Sequence, residues 1–125
     1  MFPTVPARAC SYTSGVVQDA AEEHVAPRCD AALSDAFALL GKRWNGVILG
    51  TLMTGPAGFS EIRRALGGIS DSVLADRLSE LTAAGLVVRE VDEGPPVGVR
   101  YHLAAPGRAL MPVLENLMDW ARNNL

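Results

Sequence analysis

Residues 58–103 read GFSEIRRALGGISDSVLADRLSELTAAGLVVREVDEGPPVGVRYHL. Two short helical patterns meet at Gly67-Gly68 and run into two strand-like segments. In the first pattern Ser60 is a candidate N-cap for a helix over 61–66, with Ile62, Ala65 and Leu66 facing inward. In the second, Leu74, Leu78 and Leu81 recur at the spacing of one helical face. Ser70 or Ser72 caps its start and Gly85 stops it. Residues 86–91 and 97–103 are rich in β-branched and aromatic side chains and flank the Gly/Pro loop at 92–96, the pattern of a hairpin. Helix, turn, helix and then hairpin is an order that offers one helix to the major groove of DNA and a loop to the flanking backbone.

Outward from this stretch, the apolar positions Ala32, Leu33, Ala36, Phe37, Leu39 and Leu40 predict a helix over 31–40 with a broad buried face, ended by Gly41. Residues 44–53 are mostly apolar, and periodicity alone allows a buried strand there. A core helix is the better reading, because other segments already supply the sheet. Gly46 and Gly50, four apart, either admit a neighbouring helix closely or are mild helix defects. Pro106 opens a final helix in which Leu110, Val113, Leu114, Leu117, Trp120 and Ala121 form a wide apolar stripe. One small domain hardly needs both faces, so the surplus predicts a dimer interface built from the first and last helices. The alternative is that the stripe closes the monomer core. Residues 1–28 read as an arm, flexible or partly helical at 16–25. Residues 29–125 read as a winged helix-turn-helix domain with a C-terminal dimerisation helix, mainly α with a small β-hairpin.

Composition bounds the function. The chain has 125 residues, 49% of them hydrophobic and 20% charged, which is ordinary for one globular domain. No apolar run is long enough to span a membrane and no signal peptide is evident, so the expected location is cytoplasmic. The two cysteines, Cys10 and Cys29, are too few for a disulfide framework, and no Cys/His cluster has zinc spacing. No nucleophile–base–acid set or phosphate loop is visible, which argues against an enzyme, and neither cofactor nor metal is expected. The net charge is −3. Over 58–108, Arg63, Arg64, Arg77, Arg89, Arg100 and Arg108 face seven acids: Glu61, Asp71, Asp76, Glu80, Glu90, Asp92 and Glu93. DNA binding would therefore rest on a few placed arginines, shared between two protomers.

The pieces LLGKRWNGVIL (39–49), GFSEIRRALGGIS (58–70), VLADRLSELTAAGLVVR (73–89), PVGVRYHL (96–103) and GRALMPVLENLMDWA (107–121) together resemble the HxlR-type winged-helix regulators, relatives of the MarR family. The resemblance implies a homodimeric bacterial transcription factor on a pseudo-palindromic operator. It also implies an electrophile, quinone or other oxidant as effector, sensed in some members by a cysteine before the first helix, near the place of Cys29; the apolar stripes leave a small aromatic as the other effector expected. The chain departs from the family pattern at Asp30, Gly58, Asp71-Ser72, Gly98 and Ala104.

On this reading the DNA-facing candidates are Ser60, Arg63, Arg64, Ser70, Asp71, Ser72, Asp76, Arg77 and Arg100. Arg77 reaches a phosphate or a guanine edge, or else pairs with Glu80 three residues on. Ser70 and Ser72 donate to phosphate at a helix N-terminus, cap it, or do both. Asp71 repels phosphate unless it accepts from a cytosine amino group. Arg100 meets DNA from the wing or pairs across the hairpin with Glu90. Cys29, beside Arg28, is a candidate redox sensor with Cys10 as a disulfide partner, or an inert buried thiol. Phe37, Trp44 and Trp120 belong to the core, with Tyr101, or line an effector pocket between the first, second and last helices. His24 and His102 read as surface or packing residues. A second function class stays open: a winged-helix module for protein contacts that does not bind DNA.

Overall fold

The computed structural model describes residues 26–125; the expected helix at 16–25, with Cys10 and His24, lies outside the described residues. The described residues fall into two units along the chain, 26–42 and Arg43–Leu125.

In the first unit, α1 spans Ala31–Leu40. Asp30 starts it: its carboxylate accepts from the backbone N–H of Ala32 at 2.7 Å and of Leu33 at 3.3 Å, satisfying two of the donors that a helix start leaves orphaned. The broad buried face expected for this helix is not found. Ala31 is buried, but Leu33 is 59% and Phe37 61% exposed.

The second unit begins with α2, Asn45–Leu52. The segment is a helix, as its context predicted. Its N-cap, Trp44, lies in the left-handed region with φ of 85°, a conformation that costs a non-glycine residue about 1–3 kcal/mol. Neither capping side chain nor charge supports this helix, so burial carries it. Ile48, Leu49 and Leu52 are almost fully enclosed, each contributing about 1.5–3 kcal/mol of transfer free energy.

A two-residue strand, β1 at Ala57–Gly58, leads directly into α3, Phe59–Leu66. The helix is capped at Gly58 and not at Ser60: the Glu61 carboxylate folds back to accept from the Gly58 N–H at 2.8 Å. Pairing with the sheet holds Gly58 extended, so the helix starts as soon as the strand ends. Ile62 is buried as expected, whereas Ala65 is exposed and Leu66 half-buried. Gly67 and Gly68, with φ of 64° and 82°, make the turn into α4, Asp71–Ala83.

Strands β2 (Val87–Asp92) and β3 (Gly98–Leu103) form the expected hairpin, with Val87 opposite Leu103 and Asp92 opposite Gly98. β1 adds a third strand, giving the antiparallel order β1-β3-β2 with Ala57 opposite Tyr101. The single final helix expected from Pro106 onward is instead two, α5 (Ala105–Ala109) and α6 (Met111–Asn124), broken at Leu110. Pro112 explains the break, because it lacks the N–H that would continue the ladder and its ring opposes the preceding carbonyls. α5 lies hard against the chain entering β2. The Ala104 N–H donates to the Leu86 carbonyl at 2.9 Å, and a Cβ on Gly107 would collide with that same oxygen.

The core of this unit joins the α2 residues to Ile62, Ile69, Leu74, Leu78, Leu81, Val87 and Leu103. From α6 only Leu114 enters it; Val113, Leu117 and Trp120 are each more than half exposed. The apolar stripe of the last helix therefore does not close the core of its own unit. Nor are Phe37 and Trp120 core residues, and Trp44 and Tyr101 are only half-buried. No helix among the described residues is long and apolar enough to cross a membrane.

Candidate nucleic-acid interface

Three leucines position α4. Leu74, Leu78 and Leu81 point into the core with at most 1% exposure, which turns Asp71, Ser72, Ala75, Asp76 and Ser79 outward. Both helix ends are closed by local bonds. At the start, the Ser70 hydroxyl accepts from the Val73 N–H at 3.2 Å. At the end, Gly85, with φ of 83°, donates to Thr82 O and Leu86 donates to Leu81 O, each at 3.0 Å. This pair of bonds is the Schellman arrangement that a left-handed glycine permits. Ile69, 6% exposed, pins the turn between the helices.

Two carboxylates meet the cations on this face. Arg63 Nη1 of α3 lies 2.7 Å from Asp71 Oδ1 at the first turn of α4, tying the helices together across an open surface. Arg77 Nη1 lies 3.2 Å from Glu80 Oε1, and its Nε is buried without a hydrogen-bond partner. The ion-pair alternative for Arg77 is thus realised in the free protein, while Asp76, next in sequence, stays exposed. Ser60 and Arg64 are exposed on α3.

On the wing, Arg100 stands opposite Glu90 in register and is exposed. The Glu90 carboxylate lies 3.5 Å from His102 Nε2, two residues further along β3. Sequence reasoning missed that role for His102. Its signal was available, since residues two apart on one strand share a face and a diagonal cross-strand neighbour is within reach.

The other candidates are dispersed. Cys29 is disulfide-bonded and lies just ahead of the Asp30 cap in the first unit. Trp44 carries the Arg43 guanidinium 4.8 Å from its ring centroid. Gly46 and Gly50 have nothing within 4 Å of an added Cβ, so no described helix of the Arg43–Leu125 unit packs closely on them. They line an open groove of about 380 Å³ with Val47, Leu114, Leu117 and Met118, and neither Trp44 nor Trp120 contributes to it. Among the described residues no cluster of His, Cys, Asp and Glu could hold a metal ion.

Comparison with known proteins places this architecture. Residues 39–125 match the HxlR-like helix-turn-helix family. The HTH-type transcriptional regulator YodB of Bacillus subtilis is 45% identical over 89 residues, 71% of this chain and 80% of its own. The structure of quinone-bound YodB superposes with a TM-score of 0.65 at 41% identity, covering 74% of this chain and 98% of that one. The redox regulator HypR in its reduced form gives a TM-score of 0.71 at 31% identity over 74% of this chain and 92% of its own. With helix, turn, helix and wing in this order, and with transcriptional regulators as its relatives, the chain belongs to the HxlR-like helix-turn-helix family.

Proposed function

We propose that two copies of this chain bind a pseudo-palindromic operator, each laying α4 in a major groove with the β2–β3 loop on the flanking backbone. The observation that carries this is the outer face of α4: leucines hold the helix from behind, local bonds close it at both ends, and its polar side is exposed. Ser70 and Ser72 lie at the N-terminal end, where backbone N–H groups favour phosphate. Arg63, Arg64 and Ser60 flank the groove, Asp71, Asp76 and Arg77 face it, and Arg100 approaches from the wing. The Arg63–Asp71 pair lies on the surface and is worth about 0–1 kcal/mol, whereas Arg77–Glu80 is largely enclosed. Exchanging the carboxylate for a phosphate is therefore cheap at Arg63.

The exposed apolar residues of α1 (Leu33, Phe37) and α6 (Val113, Leu117, Trp120) supply the surface for homodimerisation. As a DNA regulator and not an enzyme, the protein works in the cytoplasm. Its effector is an oxidant or quinone read through Cys29. Two thiols lose two electrons and two protons to the quinone, which departs as hydroquinone, and a disulfide forms. The likeness to quinone-bound YodB and to HypR, and the disulfide at Cys29, support this reading.

Selection of operator sequences with purified protein, reduced and oxidised, tests it. Specific binding that weakens steeply with salt is expected, with a log–log slope of about −0.9 per phosphate contacted. The acidic partners on α4 favour a protein-contact module as the second reading, and salt-insensitive binding to a protein with no affinity for any duplex would establish that instead. Redox sensing fails if oxidation leaves operator affinity unchanged or if Cys29→Ser responds like the parent protein.

A further inference from the structure

The outer ridge of α4 carries a negative charge at its centre, the opposite of what phosphates attract. Asp76 lies two residues from Leu74 and two from Leu78, so at 3.6 residues per turn it is turned about 160° from each. Both leucines are at most 1% exposed, which places Asp76 opposite the core. Ser72, Ser79 and Ala83 stand on the same ridge at the spacing of one helical face, and all of them are exposed with Asp76. The ridge holds no cation.

Neighbouring arginines are engaged to the side of it. Arg77 turns to Glu80, with 3.2 Å between Nη1 and Oε1 and only 22% of its side chain exposed. Arg63 reaches from α3 to Asp71, 2.7 Å away. Among the described residues, no hydrogen bond or ion pair engages the Asp76 carboxylate.

An ionised carboxylate only accepts hydrogen bonds. The major groove offers it donors at cytosine N4 and adenine N6, whereas guanine O6 and N7 and thymine O4 are acceptors that repel it. Adenine is the poorer partner, because its N7 acceptor stands next to N6, while the edge of cytosine carries the N4 amino group alone. The hydroxyls of Ser72 and Ser79 are donors of the kind that guanine O6 or N7 takes, in the same base pair or the next. We infer that Asp76 is a specificity-determining residue, selecting a cytosine at one position of each half-site and excluding guanine and thymine there. Arg63, Arg64 and Arg100 hold phosphates, and this one anion lowers affinity for every duplex that lacks the cytosine. The inference rests on the proposed operator reading, with α4 in a major groove, and adds the base that is read.

The test selects duplexes from a random library with the full-length protein and with its Asp76→Asn and Asp76→Ala variants. The parent should return a palindrome with cytosine fixed at one position per half-site. An asparagine bonds adenine through N6 and N7, so Asp76→Asn should move that position to adenine, and Asp76→Ala should leave it open. The selected operator is then titrated with N4-methylcytosine at that position in both half-sites. The methyl group replaces the major-groove N–H and leaves the Watson–Crick pair intact. Affinity should fall about tenfold per half-site changed for the parent, against about twofold or less for Asp76→Ala. Since Asp76 is exposed and unbonded within the fold, both variants should melt as the parent does. An unchanged preference in Asp76→Asn, or an equal loss from N4-methylcytosine in the parent and Asp76→Ala, would overturn the inference and leave the operator reading standing. Lack of affinity for any duplex would remove both.

Discussion

Asp71 has two opposed effects. At the first position of α4 its negative charge favours the helix N-terminus, and its 2.7 Å bond to Arg63 steadies the turn. The same charge stands on the face proposed to meet DNA and occupies an arginine that phosphate would otherwise take. Removing it should therefore separate stability from affinity. Asp71→Asn is expected to lower stability by about 0.5 kcal/mol and to raise affinity for any duplex by about fivefold at low salt. Thermal melting and fluorescence anisotropy with an unrelated duplex measure the two. Unchanged or weaker DNA binding would show that Asp71 does not face the phosphates. Gly107 makes a sharper steric prediction. An added methyl meets the Leu86 carbonyl oxygen and the Leu103 side chain, both in the well-packed seam between α5 and the sheet. Gly107→Ala should cost about 1–3 kcal/mol, read as a lower denaturant midpoint at unchanged slope.

Among the elements, α4 was the most legible and β1 the least. Leucines at 74, 78 and 81 set the phase of α4, and Ser70 or Ser72 with Gly85 marked its ends, because capping and the left-handed turn are local chemistry. Ser70→Ala should accordingly destabilise the protein by about 1 kcal/mol in equilibrium unfolding, with little change in the Gly85 end of the helix by hydrogen exchange. β1 has two residues and exists only because β3 is there to pair with it, so nothing in its own composition announces it. The Ser60 reading failed for the same non-local reason, since the sheet holds Gly58 and starts α3 early. Two signals were legible and passed over: Pro112 forecasts the α5–α6 break, and Asp30 before an apolar run forecasts the cap of α1. The candidate site was half readable. The outward residues of α4 follow from the leucine phase, but which arginines are tied up by Asp71 and Glu80 depends on rotamers and on α3 meeting α4.

For the molecule as a whole, the imbalance between buried and exposed apolar surface is the informative quantity. Leu117, Trp120 and Val113 on α6, and Leu33 and Phe37 on α1, are each more than half exposed, which is the surface a self-associating protein keeps for its partner. Leu117→Glu with Trp120→Glu should convert a dimer to monomer by sedimentation while leaving the far-ultraviolet spectrum of the fold intact. A dimer that survives both changes would place the interface elsewhere. Operator binding by the dissociated variant should weaken sharply, since each protomer brings only a few arginines to the duplex.

The two tryptophans have a practical consequence. Trp44 sits at the start of the Arg43–Leu125 unit, its indole beside the Arg43 guanidinium and its backbone in a conformation few residues tolerate. Trp120 stands half in solvent on α6. With no third indole in the chain, the protein carries its own pair of fluorophores, one at the start of α2 and one on the last helix. Replacing either by phenylalanine isolates the other's emission, so a change at the start of α2 and an assembly event on α6 can be followed optically in the same cuvette without any attached dye.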